Sequence, residues 1–266
     1  MMGAIIGDIV GSRFEFDNHK SKDFEFFSDE CEFTDDTVMT IAVAVAVRHG
    51  MGWGFPPHEL IARELKKYGR KYPFCSYGSR FSDWLFSYDD KPYGSYGNGA
   101  GMRVSVAAWA ARNMSECIDL SDTITSVTHN HPEGLKGASA IAAATFMALH
   151  GSTKDEIREY IEKYYYVLDF TLDEIRDSYT FDETCQGTIP QAIEAFLESD
   201  SFEDAIRNAI SIGGDSDTLA ACTGAIAEAY YGIPAWMRDK AKTYLDSFLL
   251  NRLESIENTY PPKICD

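Results

Sequence analysis

Three stretches of this chain are apolar on nearly every side. Val38, Ile41, Ala42 and Val45 recur at helical spacing, while Val43, Ala44 and Val47 fill the remaining faces. Residues 138–149 and 219–229 have the same character, rich in alanine and poor in charge. A helix that is apolar all round belongs inside a bundle, and small side chains let neighbouring backbones come close. Other segments are amphipathic. Residues 57–71 begin with proline and place Leu60, Ile61, Leu65 and Tyr68 on one face. Ser201 offers a cap with Asp204 three positions on, followed by Ala205, Ile206, Ala209 and Ile210. Residues 235–253 read as one long helix with Trp236, Ala241, Tyr244, Leu245, Phe248 and Leu249 on its apolar side. Alternating β patterns are nearly absent. The expected fold is therefore an all-α, single-domain orthogonal helical bundle over residues 1–266, with the three apolar helices at its centre.

Charge narrows the partners. With 42 Asp and Glu against 24 Lys and Arg the net charge is −18, and no basic run exceeds two residues. Nucleic acid and anionic membranes require a basic surface, so neither is expected. The apolar runs fall well short of the roughly 18 residues of a membrane span. Met1 to Gly7 is short, lacks a basic leader and is interrupted by Asp8, unlike a signal peptide. Six dispersed cysteines without a C-x-x-C pair suit reduced thiols, and a cytoplasmic location is expected.

The chemistry gathers before the three central helices. The first is preceded by Thr34-Asp35-Asp36-Thr37, the second by Thr128-His129-Asn130-His131-Pro132-Glu133, and the third by Gly213-Gly214-Asp215-Ser216-Asp217-Thr218. Near the N-terminus, Asp8 and Glu15 flank a Gly-Ser turn. Any one of these segments is explained by helix capping, since Thr, Ser and Asp accept from the free amides of a first turn. One cap needs only one acceptor, however, and two segments each spend two carboxylates beside a buried helix. Burying like charges together costs several kcal/mol per ion unless a cation compensates. Carboxylate and hydroxyl oxygens without thiolate suit hard ions such as Mg²⁺ or Mn²⁺. Asp35, Asp36, Asp215 and Asp217 have the oxygens for two ions, with Thr34 and Thr218 adding hydroxyls.

A second signal is the loop from Tyr93 to Gly101, Tyr-Gly-Ser-Tyr-Gly-Asn-Gly-Ala-Gly, leading into an expected helix over 104–111. Its glycines allow close backbone approach, and amides at a helix start can hold phosphate. By itself it is a common kind of turn; beside an acidic metal site it points to a phosphate-bearing ligand. His129 is read as a ligand contact and His131 as structural. Cys185 has no base next to it and reads as a buried inert thiol.

GDIVGSRFE, TDDT, YGNGAGMR, THNHPE, CQGTIPQAI and GGDSDTLA, in that order, resemble the ADP-ribosylglycohydrolase family from Met2 to about Pro234. The resemblance implies an all-α fold with two Mg²⁺ (or Mn²⁺) ions in a central cleft. It implies hydrolysis of the bond between ADP-ribose and an acceptor, either a modified protein side chain or a small ADP-ribosyl conjugate. Carried over by motif, Thr34, Asp35, Asp36, Asp215, Asp217 and Thr218 match the metal ligands. Ser95, Tyr96, Gly97, Asn98 and Gly99 match the loop that holds the diphosphate, and His129 matches a ligand-contacting histidine. Glu15, Asp35 and Asp36 are the candidate catalytic carboxylates, one of which takes the proton of the attacking water. The acidic segment 17–32 reads either as a loop that covers the cleft and favours a cationic acceptor such as arginine, or as a solvated acidic surface loop. Two alternatives use the same residues: an ADP-ribose-binding module without turnover, and a metal-dependent pyrophosphohydrolase that releases AMP.

Overall fold

The three apolar segments are helices that meet at the centre of the computed structural model, which describes residues 1–265. In chain order the helices are α1 (Met2–Gly11), α2 (Asp35–Gly50), α3 (His58–Lys71), α4 (Ser79–Phe86) and α5 (Gly99–Met102). Then come α6 (Val106–Ala110), α7 (Met114–Thr125), α8 (Pro132–Leu149), α9 (Lys154–Tyr164) and α10 (Leu172–Ile175). The last five are α11 (Cys185–Leu197), α12 (Phe202–Ile210), α13 (Ser216–Tyr231), α14 (Ala235–Lys242) and α15 (Ser247–Glu257). Among the described residues the only sheet is a parallel pair, β1 (Ile233–Pro234) with β2 (Ile264–Cys265). The all-α expectation holds, and the buried residues of α1, α2, α8, α11 and α13 form one continuous apolar cluster.

Helix boundaries follow local chemistry. Thr34 caps α2 by accepting from the Asp36 amide, and Ser201 caps α12 by accepting from the Asp204 amide. His131 and Pro132 open α8, with the His131 ring accepting from the Glu133 amide, which is the structural part expected of it. Two expectations are corrected. Residues 235–253 are not one helix: Thr243 Oγ1 donates back to the Lys240 carbonyl, and Asp246 starts a new helix by accepting from Leu249 N at 2.9 Å. The apolar periodicity continues across this break because both helices lie on the same core, so periodicity alone does not show it. The helix expected over 104–111 is shorter, with α5 carrying the glycine loop and α6 following after a turn.

Local pattern does not predict helix α1, because glycine at three positions lowers its intrinsic helicity by about 1 kcal/mol each. Packing explains the glycines. Gly3, Gly7 and Gly11 recur every fourth residue and so share the face that lies on α13. A Cβ on Gly7 would lie 2.1 Å from the Ala220 carbonyl oxygen, and one on Gly11 would lie 2.6 Å from Asp217 Cα. With no side chain between them the two backbones touch. This close approach delivers Asp8 of α1 to the place where α2 and α13 begin.

Candidate active site

A cleft of about 330 Å³ opens over the N-terminal ends of α2 and α13, within the range of small-molecule sites. Its lining falls into two groups of different charge. One comprises Glu15, Asp35, Asp36, Asp215, Asp217 and Thr218; the other comprises Arg80, Arg103, His129 and the loop from Ser95 to Gly99, joined to the acids through Asn98. Of the site residues expected from the sequence, only Thr34 does not line the cleft. It lies directly behind, buried, with its hydroxyl 2.7 Å from Asp8 Oδ1 and 3.3 Å from Asp217 Oδ2.

The acidic end is built by hydrogen bonds that aim each carboxylate. Asp8 organises the turn before α2: its Oδ2 accepts from the amides of Thr34 and Thr37, each at 3.0 Å, and its Oδ1 accepts from the Thr34 hydroxyl. Both oxygens of Asp8 are thus engaged, which makes it a positioning group. Thr218 Oγ1 donates to Asp36 Oδ2 at 3.2 Å, and Thr218 N donates to Asp217 Oδ1 at 2.9 Å. Asn98 donates its side-chain amide to Asp215 Oδ2 at 2.6 Å and to Thr188 Oγ1 at 3.1 Å. Its side chain therefore braces an acid, while its backbone amide bonds the Glu183 carbonyl.

Behind Asp215, the Gly213-Gly214 turn has positive φ at both residues, 69° and 80°, a conformation glycine adopts without strain. Asn18 grips that turn, accepting from Gly214 N at 2.8 Å and donating to Gly214 O at 2.9 Å. Lys20 donates to the carbonyls of Ile212 and Tyr179. Segment 17–32 is thereby fastened along α12 and α13, with Phe26 and Phe27 in the core. None of its acidic side chains lines the main cleft, so the expected cover is corrected: its polar residues are spent on anchoring.

Six acidic residues converge here. Carboxylate oxygens of Asp8, Asp36 and Asp217 lie within 4.8 Å of one another, and so do those of Glu15, Asp215 and Asp217. Burial, then mutual repulsion, holds the protons on. Asp35, Asp36 and Asp217 are pushed well above the carboxylate range. Burial raises Asp8 to about 6 against its hydrogen bonds, and burial with the charges of Asp215 and Asp8 raises Glu15 to about 8. Asp36 Oδ1 is buried with no hydrogen-bond partner. An orphaned carboxylate oxygen inside a knot of acids fits a divalent cation, and an all-oxygen donor set fits a hard one.

At the other end, loop 95–99 is clamped to the start of α11. Asn98 N donates to Glu183 O, Cys185 N donates to Tyr96 O, and Cys185 Sγ donates to Gly97 O at 3.1 Å. Burial pushes the Cys185 thiol up to about 12, in line with an inert structural cysteine. His129 is buried, and its Nε2 lies beside Gly97 and Gly99, 3.6 and 3.4 Å from where their β-carbons would be.

The family model described as ADP-ribosylglycohydrolase matches residues 1–260. The chain belongs to the ADP-ribosylglycohydrolase family. It is 26% identical over 322 residues to ADP-ribosylhydrolase ARH3 of Xenopus tropicalis, covering 93% of this chain and 91% of that one. It is 27% identical over 291 residues to ADP-ribosylarginine hydrolase Tri1 of Pseudomonas putida (strain GB-1), covering 91% of this chain and 73% of the relative. The fold matches a solved structure described as an ADP-ribosylglycohydrolase-related protein complex, with a TM-score of 0.68 at 21% identity over 96% of each chain. No helix among the described residues is long and apolar enough to cross a membrane.

Several contributors to this family member's cleft have no role that the sequence alone assigns. Asp8 is visible in GDIVGS but lies one helix away from the TDDT turn it organises. Arg103 ends the YGNGAGMR motif, and its burial beside His129 is a tertiary fact. Glu183 and Phe181 carry no local signal and enter the cleft only through the pairing of residues 97 and 184.

Proposed function

We propose that this protein hydrolyses the glycosidic bond between ADP-ribose and an acceptor, assisted by divalent cations of the Mg²⁺ or Mn²⁺ type. The observation that carries this reading is a cleft lined both by an acid cluster with an orphaned Asp36 oxygen and by a glycine loop with His129 and two arginines. An ADP-ribosyl conjugate has matching ends, a ribose bearing vicinal hydroxyls and an anionic diphosphate.

Thr34, Asp35, Asp36, Asp215, Asp217 and Thr218 would hold two ions, with Asp8 and Asn98 aiming the ligands from behind. Such ions supply positive charge that binds the ribose hydroxyls and stabilises charge developing at the reacting bond. The chain does the rest. The side chains of Ser95, Arg80 and His129, with those backbone amides of loop 95–99 not already paired within the protein, bind the diphosphate and fix the sugar over the acids. Water adds to the anomeric carbon as its bond to the acceptor breaks. Glu15, half-buried at the cleft wall and ionised as neighbouring cations would favour, takes the water's proton and passes a proton to the departing acceptor. Asp35, at the first position of α2, stands in the same cleft as the second carboxylate able to orient that water.

The acceptor end favours a cation. Phe16 follows Glu15 and stacks on Phe181 with ring centres 6.4 Å apart, both rings exposed, beside the exposed Glu183. An aromatic ledge next to carboxylates suits a guanidinium. We therefore favour arginine-linked over serine-linked ADP-ribose, in keeping with the relative named for ADP-ribosylarginine.

Two variants test the assignment. Glu15→Gln is expected to lower kcat by about a hundredfold or more with Mg²⁺ binding retained, the range for loss of a general base. Asp36→Asn is expected to lose Mg²⁺ binding and turnover together. Near-wild-type turnover in both would sink the proposal.

A further inference from the structure

His129 can face the diphosphate in three protonation states, and only its surroundings decide among them. Its Nδ1 lies 3.0 Å from Arg103 Nη2 and 2.8 Å from the Thr128 hydroxyl. Arg103 Nη2 also donates to that hydroxyl. A guanidinium nitrogen has hydrogens and no lone pair, so toward His129 it can only donate. Nδ1 must then accept, and the imidazole proton must sit on Nε2, the nitrogen beside Gly97 and Gly99.

We propose that Arg103 is a positioning residue that fixes His129 as the neutral Nε2–H tautomer, so that His129 presents a hydrogen-bond donor to the anionic diphosphate of the ligand without acquiring charge. The proposal rests on reading this cleft as the ADP-ribosyl site. Arg103 is built for the task. It is 1% exposed, lines the cleft and packs its guanidinium 5.2 Å from the Phe81 ring centre, so it cannot swing away to solvent. Burial lowers it to about 10, which still leaves it charged at neutral pH. The groups facing His129 are Arg103 and Thr128 at Nδ1, Arg80 across the cleft, Tyr93 with ring centres 6.2 Å away, and the backbone of residues 97, 99 and 134. No carboxylate is among them. Burial first, then Arg103 and Arg80, hold the imidazole well below its ordinary value.

Without Arg103 only the Thr128 hydroxyl would remain at Nδ1, able to donate or accept, and the ring would sample both neutral tautomers. The device therefore keeps a single uncharged donor aimed at the diphosphate. It also separates this histidine from His131, which is exposed and caps α8 through its own Nδ1.

The test is nitrogen–proton NMR of the ligand-free protein labelled at histidine, with the His129 signals assigned from His129→Ala. The expected result is a neutral ring with the proton on Nε2 and no titration between about pH 5 and about pH 8. In Arg103→Met, where burial still disfavours the charged ring, His129 should show a mixture of Nδ1–H and Nε2–H tautomers. The Kd of that variant for ADP-ribose, measured with Mg²⁺, should exceed wild type by about tenfold near pH 8. Thr128→Val, which spares the arginine, should keep the Nε2–H tautomer. A proton on Nδ1 in the wild type, titration of the wild-type ring near 6.5, or a pure Nε2–H tautomer retained in Arg103→Met would overturn the proposal. Where Arg103→Met does not fold, the wild-type tautomer and titration decide alone. Failure of ADP-ribose to bind at all would contradict the function proposed for the cleft, whereas the tautomer is read by NMR without ligand and stands or falls separately.

Discussion

Removing divalent cations should make this protein less stable as pH rises from about 5.5 to about 8.5. Asp8 is fully buried and lifted from 3.8 to about 6, Glu15 is lifted from 4.5 to about 8, and Asp35, Asp36 and Asp217 lie higher than their ordinary range. These folded-state values are raised, so the folded chain binds protons more tightly than the unfolded one. The associated stability is full below the unfolded values and is lost as pH climbs through the folded ones. Asp8 alone accounts for about 3 kcal/mol between about pH 4 and about pH 6, of which about 1 kcal/mol falls above about pH 5.5. Glu15 faces the cleft and its share is reduced by solvent screening. For a chain of this size, each 1 kcal/mol corresponds to a fall in Tm of about 2–4 °C. Scanning calorimetry in EDTA at the two pH values measures it. Mg²⁺ should then raise Tm strongly at the higher pH and weakly at the lower one, because cations and protons compete for the same oxygens. A Tm in EDTA that is flat or rising across this interval, or an equal Mg²⁺ effect at both ends, would refute the reasoning.

Gly7→Ala places a methyl 2.1 Å from the Ala220 carbonyl oxygen, and denaturant titration should show a loss of about 3 kcal/mol or more; a loss under about 1 kcal/mol would contradict the backbone contact. Asp8→Asn keeps the shape but turns one acceptor into a donor against Thr34 and Thr37, and calorimetric Mg²⁺ affinity should fall about 10- to 100-fold, the effect of losing an outer-shell partner. Under native alkylation with iodoacetamide, the half-exposed Cys265 should label first, while Cys185 and Cys117, both pushed up to about 12, should label only on unfolding; early labelling of Cys185 would contradict its inert role.

Much of this architecture is readable before folding, and the gaps have physical causes. The all-round apolar character of α2, α8 and α13 marks them as central because only burial on every side satisfies such a pattern. The paired acids before α2 and α13 stand out because capping never requires so many. Helix α1 defeats local reasoning, since its glycines oppose helicity and are explained only by contact with α13. The junction between α14 and α15 is hidden because both helices continue one apolar face. Asp8 is hardest to place: its two engaged oxygens acquire meaning only when the Thr34–Thr37 turn arrives from another part of the chain. Segment 17–32 misleads for the opposite reason. Its acidity catches the eye, yet its structural work is done by Asn18, Lys20, Phe26 and Phe27.

The central claim is glycosidic cleavage supported by divalent cations. The most direct measurement is incubation of the purified protein with arginine-linked and serine-linked ADP-ribosyl peptides, in Mg²⁺, Mn²⁺ or EDTA, with products identified by mass spectrometry. Intact ADP-ribose should be released, faster from the arginine-linked peptide, and release should stop in EDTA. Release of AMP, undiminished cleavage in EDTA, or bound ADP-ribose with neither peptide cleaved would contradict it.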